Sequence, residues 1–197
     1  MNIRKYFGPL NKDNPVLVQI LGVCSALAVT AQLKPAFVMA LSVTIVTAFS
    51  NLTISAMRNV IPPRIRIIVQ LVVIATLVIL VDQVLQAFFY DVSKMLSVFV
   101  GLIITNCILM GRLEAYAMFN PPIPSFMDGL FNGLGYGLVL TTLGVVRELL
   151  GSGTLWNFKV MPDAFYEMGY MNNGLMVLPP MALILVGVMI WIQRAKS

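Results

Sequence analysis

Histidine is absent from the sequence, cysteine occurs only twice, and charged residues make up 11% of the 197 positions. Without histidine the chain has no bis-histidine haem site, no histidine metal ligand and no histidine proton relay. Two cysteines are too few for a disulfide framework. Cys24 and Cys107 are therefore a single pair, two small apolar packing residues, or two ligands.

The scarcity of charge also excludes an ordinary soluble domain, in which about 25% of residues are charged. Hydrophobic residues make up 59% of the chain, and the mean hydropathy is +0.90. These values indicate a membrane protein, and no soluble domain fits between its apolar runs. The net charge is +5, but the basic residues are scattered at the ends of apolar runs, so nucleic acid is not an expected partner.

The apolar runs predict an all-α membrane protein with six transmembrane helices, because about 20 helical residues cross a bilayer. A membrane barrel would instead show short alternating segments. We expect a polar connector at Asn120–Pro124 and a kink or late start of the last helix at Pro179–Pro180. The predicted helices are I (Asn14–Leu33), II (Pro35–Met57), III (Arg64–Tyr90), IV (Lys94–Met110), V (Ser125–Leu150) and VI (Asn173–Ile192).

The six helices divide into two halves of one integral membrane domain, residues 1–91 and 92–197, with three helices each. Because three is an odd number, the second half enters the membrane from the opposite side, as in an inverted-topology repeat. Each half opens with a helix that carries a cysteine.

The distribution of lysine and arginine predicts the orientation of the chain. With six spans both termini share one side, and the side richer in basic residues is cytoplasmic. One side carries Arg4, Lys5, Lys12, Arg58, Arg64, Arg66, Arg112, Arg194 and Lys196, and the other carries Lys34, Lys94, Arg147 and Lys159. Both termini are therefore expected in the cytoplasm.

The two cysteines are expected at the same level in the membrane. Cys24 lies about 10 residues into helix I and Cys107 about 12 into helix IV, which places each thiol about 15–18 Å deep. Inverted-repeat membrane proteins often have their functional site at this level, on broken helices. Gly22 and Gly101 are the positions where helices I and IV could break at mid-membrane.

Two readings of the thiols remain open on the residues alone. Free cysteine often packs as a small apolar residue. Thiolates also suit soft metals and iron–sulfur clusters, which usually need four of them, so a second chain would have to complete such a site. Ser25, Thr105 and Asn106 could hydrogen bond around a metal, or bond back to the preceding helical turn.

Asp82 is the one acidic residue well within a predicted span. It is a candidate for an ion path, although it also lies near a helix end and could sit at an interface. Arg147 and Glu148 are expected as a charge pair at the membrane edge. Arg112 is expected to cap the end of helix IV.

Gly129, Gly133 and Gly137 recur every four residues and predict close approach of another helix. The same stretch contains a G-x-G string. It follows no strand, so a nucleotide-binding loop is excluded.

Residues 21–30, 98–112, 122–137 and 147–153 closely resemble a family of membrane proteins. The family comprises the D subunit of the bacterial sodium-translocating NADH:quinone oxidoreductase and the E subunit of the related Rnf complex. The likeness extends from about Asn14 to Trp191 and includes both cysteines in their local strings.

The resemblance implies an intramembrane 2Fe–2S centre, shared with a homologous six-helix E subunit in inverted orientation, with Cys24 and Cys107 as ligands. It also implies a bacterial inner-membrane location, partner subunits A, B, C and F, flavins on other subunits, and NADH-to-ubiquinone electron transport coupled to Na⁺ export. No NADH or quinone site is evident in this chain itself. The alternatives are the equivalent Rnf subunit, a non-redox inverted-repeat transporter and a structural scaffold.

Overall fold

The computed structural model describes residues 14–88, 100–155, 158–159 and 174–196. Within these ranges the chain is helical except for one two-residue antiparallel ladder and the connecting turns. A π-helical turn at Leu113–Ala117 continues α5, and a 3-10 turn at Gly174–Val177 precedes α7. The elements are α1 (Val23–Val29), α2 (Leu33–Met57), α3 (Arg66–Phe88), α4 (Val100–Ile104), α5 (Cys107–Arg112), α6 (Pro122–Ser152), β1 (Thr154–Leu155), β2 (Phe158–Lys159) and α7 (Pro179–Lys196).

Three described helices are long and apolar enough to cross a membrane, namely Leu33–Met57, Arg66–Phe88 and Pro122–Gly151, and α7 is a shorter apolar helix. They confirm the prediction of a helical membrane protein. The count of six spans stays a prediction, because residues 89–99 and 160–173 lie outside the described residues.

Predicted helices II and III agree with α2 and α3 to within two residues at each end. The late start predicted for helix VI at Pro179–Pro180 is confirmed, and α7 ends four residues beyond the predicted Ile192. Helix V begins at Pro122 rather than Ser125. The predicted connector is therefore wrong from Pro122 onward, because proline lacks an N–H and fits the first turn of a helix.

Predicted helix I is helical over about a third of its length. The segment before Gly22 forms turns, and the regular helix covers Val23–Val29 alone. Asn14 fixes the turns, since its side-chain oxygen accepts hydrogen bonds from the N–H groups of Val16 and Leu17, at 3.0 and 3.4 Å. Its amide nitrogen donates to the carbonyl oxygen of Gly135 on α6, at 3.3 Å. An asparagine that satisfies local N–H groups stabilises a turn instead of a continuous helix.

Predicted helix IV is also interrupted, but not at the expected glycine. The helix runs through Gly101 and breaks at Thr105 and Asn106, between α4 and α5. It then continues past the predicted end at Met110, through the π-helical turn to Ala117.

The centre of the molecule is an antiparallel contact between α2 and α6. A Cβ atom added at Gly133 would lie 2.7 Å from the Cα atom of Thr44, and one added at Gly137 would lie 3.1 Å from the Cβ atom of Ala40. At Gly129 the added atom would meet the carbonyl oxygen of Thr47 at 2.9 Å. The predicted close packing along the glycine stripe is confirmed, and it gives the two broken helices a fixed frame.

Candidate functional site at two helix breaks

The first break lies at Gly22. This residue has φ +84°, in the left-handed region that glycine adopts without steric cost, and it precedes the first residue of α1. Ile20, two residues earlier, has φ +56°. A β-branched side chain in that region costs about 1–3 kcal/mol, so the surrounding contacts hold the turn in place. Cys24 is the second residue of the helix that follows.

The second break is built by Asn106. Its extended backbone stops α4, and its side-chain oxygen accepts a hydrogen bond from the N–H of Ile108, at 3.2 Å. This is an ordinary asparagine cap at the start of a helix. Cys107, the first residue of α5, follows directly.

The two breaks are in contact with each other. The backbone N–H of Gly22 donates to the sulfur of Cys107 at 2.9 Å. Cys24 is exposed on the surface of the chain, and Cys107 is half-buried. The structure thus brings the two predicted ligand strings together, with one thiol facing outward and the other hydrogen bonded.

A buried cluster of three polar side chains lies beneath the breaks. The hydroxyl oxygens of Ser25 and Tyr136 are 2.6 Å apart, and the side-chain amide of Asn106 donates to both, at 3.3 and 3.4 Å. Ser25 also donates to the carbonyl oxygen of Gly22 at 2.9 Å. Thr105 bonds back to Gly101 in the preceding turn instead.

Tyr136 was missed as a functional candidate in the sequence, where it appears only as one residue of the glycine stripe. A signal was present, because a tyrosine hydroxyl inside an apolar span needs a hydrogen-bond partner. The sequence offered no means of naming that partner, since Ser25 lies 111 positions away.

The donor chemistry of the two thiols is compatible with an iron–sulfur centre. Both belong to the soft donor class that binds iron–sulfur clusters, and the Cys107 sulfur accepts an N–H hydrogen bond, as ligating sulfurs do. Among the described residues, no group of three or more histidine, cysteine, aspartate or glutamate side chains could hold a metal ion. Cys24 and Cys107 would therefore supply part of the ligand set, and the exposure of Cys24 leaves its side open to another chain.

Arg147 and Glu148 fix the turn that follows α1. The Arg147 guanidinium donates to the hydroxyl of Thr30 at 2.6 Å and to the carbonyl oxygen of Val177 at 2.7 Å. The Glu148 carboxylate accepts from the N–H of Leu33, the first residue of α2, at 2.6 Å. Both residues are buried within the chain, and each hydrogen bonds to groups at the end of another segment. Their place at the membrane edge as a charge pair stays a prediction.

A corresponding arrangement holds the turn that precedes α6. Ser55 on α2 donates to the carbonyl oxygen of Asn120 at 2.5 Å, and Asn51 donates to that of Ser125 at 3.1 Å. The C-terminal half of α2 thus hydrogen bonds to the start of α6, and the C-terminal end of α6 hydrogen bonds to the start of α2.

The predicted ion-path residue Asp82 lies apart from this site, on α3. One carboxylate oxygen accepts from the side-chain amide of Gln86 at 2.8 Å. The other is buried and has no hydrogen-bond partner within the described ranges. Nothing in these contacts distinguishes an ion path from an interfacial carboxylate, so the role of Asp82 stays a prediction.

Arg112 does not end helix IV. Its guanidinium forms two hydrogen bonds to the Asp128 carboxylate on α6, at 3.0 and 2.5 Å. In the π-helical turn, Glu114 pairs with Arg66 and accepts from the buried amide of Gln70 at 3.1 Å. These contacts attach α5 to both α6 and α3.

Comparison with known proteins shows the family of this chain. Residues 3–190 match the model described as Rnf-Nqr subunit, membrane protein. The chain belongs to the Rnf-Nqr subunit family. The predicted resemblance is thereby confirmed over almost the whole chain.

Relatives within the Rnf-Nqr family carry a specific name. The chain is 61% identical over 189 residues to the D subunit of the Na⁺-translocating NADH-quinone reductase of Aeromonas hydrophila, covering 96% of this chain and 90% of the relative. It is 60% identical to the proteins of the same name from Aeromonas salmonicida, with the same coverage, and from Shewanella baltica, covering 95% of this chain and 89% of the relative.

Proposed function

We propose that this chain is the D subunit of a Na⁺-translocating NADH:quinone oxidoreductase of the bacterial inner membrane, and that it carries electrons across the membrane in a reaction coupled to Na⁺ export. One observation carries the proposal: the chain's two cysteines lie at two contacting helix breaks, with the Gly22 N–H on the Cys107 sulfur. The name shared by relatives about 60% identical supports the same assignment.

Cys24 and Cys107 are proposed to hold one side of a 2Fe–2S centre, and a homologous E subunit in inverted orientation would supply the other side. Such a centre supplies one-electron transfer at about half the depth of the bilayer. The protein's own task is to hold both thiols at one level and to leave Cys24 open to the partner. The helix breaks support this role, because each places a cysteine within the first two residues of a helix that follows a turn.

The inverted repeat that the proposal requires is supported by the central helix pair. If helices II and V are equivalent in two inverted halves, they must run antiparallel, as α2 and α6 do along the glycine stripe. The hydrogen bonds that α6 and α2 each make to the first turn of the other also suit this arrangement. The halves would be residues 1–91 and 92–197, with both termini in the cytoplasm.

The other components of the proposed enzyme lie outside this chain. Electrons from NADH would reach the Cys24 and Cys107 site through the flavin-bearing subunit on the cytoplasmic side. They would leave through flavins on other subunits for ubiquinone. Subunits A, B, C, E and F are the proposed partners, and Asp82 is the proposed contact of this chain with the sodium path.

The test is iron analysis of the purified complex that contains this chain, comparing wild type with Cys24→Ser and Cys107→Ser. Thr142→Val is a matched control, because it removes an exposed hydroxyl of α6 that only bonds back to Leu138. We expect each cysteine variant to lose the iron of about one cluster and to stop quinone reduction by NADH, and the control to retain both.

If both cysteine variants keep their iron and still reduce quinone, the thiols only pack, and the proposal fails. The chain would then be a transporter or a scaffold of the same family. A complex that reduces NAD⁺ with ferredoxin, but does not reduce quinone with NADH, would assign the chain to the equivalent Rnf subunit instead.

A further inference from the structure

The Tyr136 hydroxyl connects two segments that are otherwise far apart in the sequence. It lies on α6, the side chain is 0% exposed, and its oxygen contacts Ser25 beyond the first break and Asn106 at the second. A tyrosine that only filled space would need none of these hydrogen bonds, since phenylalanine has nearly the same volume.

Each partner of this hydroxyl controls the backbone beside a cysteine. Ser25 follows Cys24 and donates to the carbonyl oxygen of Gly22, at 2.9 Å. Asn106 precedes Cys107 and caps the helix that Cys107 begins. The tyrosine ring also packs against Gly22, where an added Cβ would lie 2.9 Å from a ring carbon. Tyr136 therefore contacts residues of both breaks.

The hydrogen bond from the Gly22 N–H to the Cys107 sulfur, at 2.9 Å, joins the two breaks and depends directly on their relative position. Such a bond stabilises a sulfur that carries negative charge, and hydrogen bonds to sulfur are among the factors that set the reduction potential of an iron–sulfur centre. The Cys24 sulfur is exposed, and no residue in the described part of the chain hydrogen bonds to it. The two thiols are thus chemically unequal within one chain.

We infer that Tyr136 is a positioning residue, which acts through Ser25 and Asn106 to hold the Gly22 N–H on the Cys107 sulfur and so raises the reduction potential of the centre bound there. This inference rests on the proposed function, because it concerns the metal centre of the same site. Tyr136 itself touches neither sulfur in this assignment. Its effect is transmitted by the backbone of the first break.

The experiment compares Tyr136→Phe with wild type in the purified complex. Two quantities are measured: the midpoint potential of the iron centre by redox titration followed by electron paramagnetic resonance, and the rate at which reduced complex loses iron to a chelator. We expect full iron content, a lower midpoint potential, and iron release about five- to tenfold faster, as loss of one hydrogen bond implies.

Two further variants test the role of the Tyr136 hydroxyl if the complex with Tyr136→Phe assembles poorly. Ser25→Ala removes the hydroxyl that contacts the Tyr136 hydroxyl. If the two residues act as one network, the double variant Ser25→Ala with Tyr136→Phe should shift the midpoint potential no further than the larger of the two single shifts. Thr142→Val on the same helix controls for the loss of any hydroxyl from α6 and should leave both quantities unchanged.

Full iron content with an unchanged potential and unchanged iron release in Tyr136→Phe would overturn the inference and leave the proposed function intact. Equal shifts in the Thr142→Val control would overturn it too, since they would reflect general loosening of α6. If wild-type complex binds no iron at Cys24 and Cys107, the proposed function itself fails. The three results are therefore distinguishable.

Discussion

The backbone N–H of Gly22 donates a hydrogen bond to the sulfur of Cys107 at 2.9 Å, across 85 positions of sequence. This bond joins the turn before α1 to the first residue of α5, at the two helix breaks. Gly22 makes this bond in the left-handed conformation, with φ +84°. An alanine at this position is strained in that conformation.

Gly22→Ala is expected to destabilise the protein by about 1–3 kcal/mol, because an alanine is strained at positive φ and its Cβ would lie 2.9 Å from the Tyr136 ring. The measurement is the thermal denaturation midpoint of the purified complex in detergent, together with its iron content. Gly101→Ala is the matched control, since an added Cβ there meets nothing within 4 Å. Equal midpoints for the two variants would show that the break at Gly22 tolerates a side chain.

Gly133→Ala is expected to disrupt the central helix pair. The new Cβ would lie 2.7 Å from the Cα of Thr44, and backbone cannot yield without separating α2 from α6, so the expected loss of stability is about 3 kcal/mol or more. Gly187→Ala on α7, where an added Cβ meets no atom within 4 Å, is the control. The thermal denaturation midpoint of the purified complex is measured for both variants. A midpoint for Gly133→Ala as high as the control's would contradict the close contact between α2 and α6.

The sequence predicted the parts of the fold that depend on local chemistry. Long charge-free runs must be helical in a bilayer, because every backbone polar group has to be satisfied within its own segment. The bounds of α2 and α3 therefore followed from hydropathy to within about two residues. The soft donor chemistry of Cys24 and Cys107 followed from residue type, and their depth in the membrane stays a prediction.

The sequence indicated the first break, at Gly22, but it did not reveal where helix IV breaks or what holds either break in place. Thr105 and Asn106 lie inside an apolar run without charge, so the hydropathy pattern does not show the break. Asparagine is nevertheless a common N-cap residue, and Asn106 is therefore a usable signal for a helix that begins at Cys107. Tyr136, Arg147 and Glu148 each have a partner more than 100 positions away, namely Ser25, Thr30 and Leu33. Such contacts depend on the packing of α1 against α6, which no local pattern encodes.

Glu148→Ala and Glu148→Gln are expected to differ in stability, because they separate the loss of a hydrogen-bond acceptor from the loss of charge. Glutamine keeps an oxygen for the Leu33 N–H, which the carboxylate now binds at 2.6 Å. Alanine leaves that buried N–H unsatisfied, which costs about 1–3 kcal/mol. We expect a clearly lower denaturation midpoint for the alanine variant. Equal losses in both variants would mean that the negative charge, and not the bond to the start of α2, is what matters.

Asp82→Asn tests whether the carboxylate on α3 takes part in sodium transport. Asparagine has the same shape and can still accept from Gln86, so an interfacial role would leave the sodium requirement unchanged. If the carboxylate contacts the sodium path, loss of its charge should raise the Na⁺ concentration for half-maximal quinone reduction about tenfold, the equivalent of about 1.4 kcal/mol. Gln86→Ala is the control, because it removes the neighbour and keeps the charge. A normal sodium requirement in Asp82→Asn would show that Asp82 does not take part in the sodium path. The buried carboxylate oxygen, which has no hydrogen-bond partner in the described residues, would then have only a structural role.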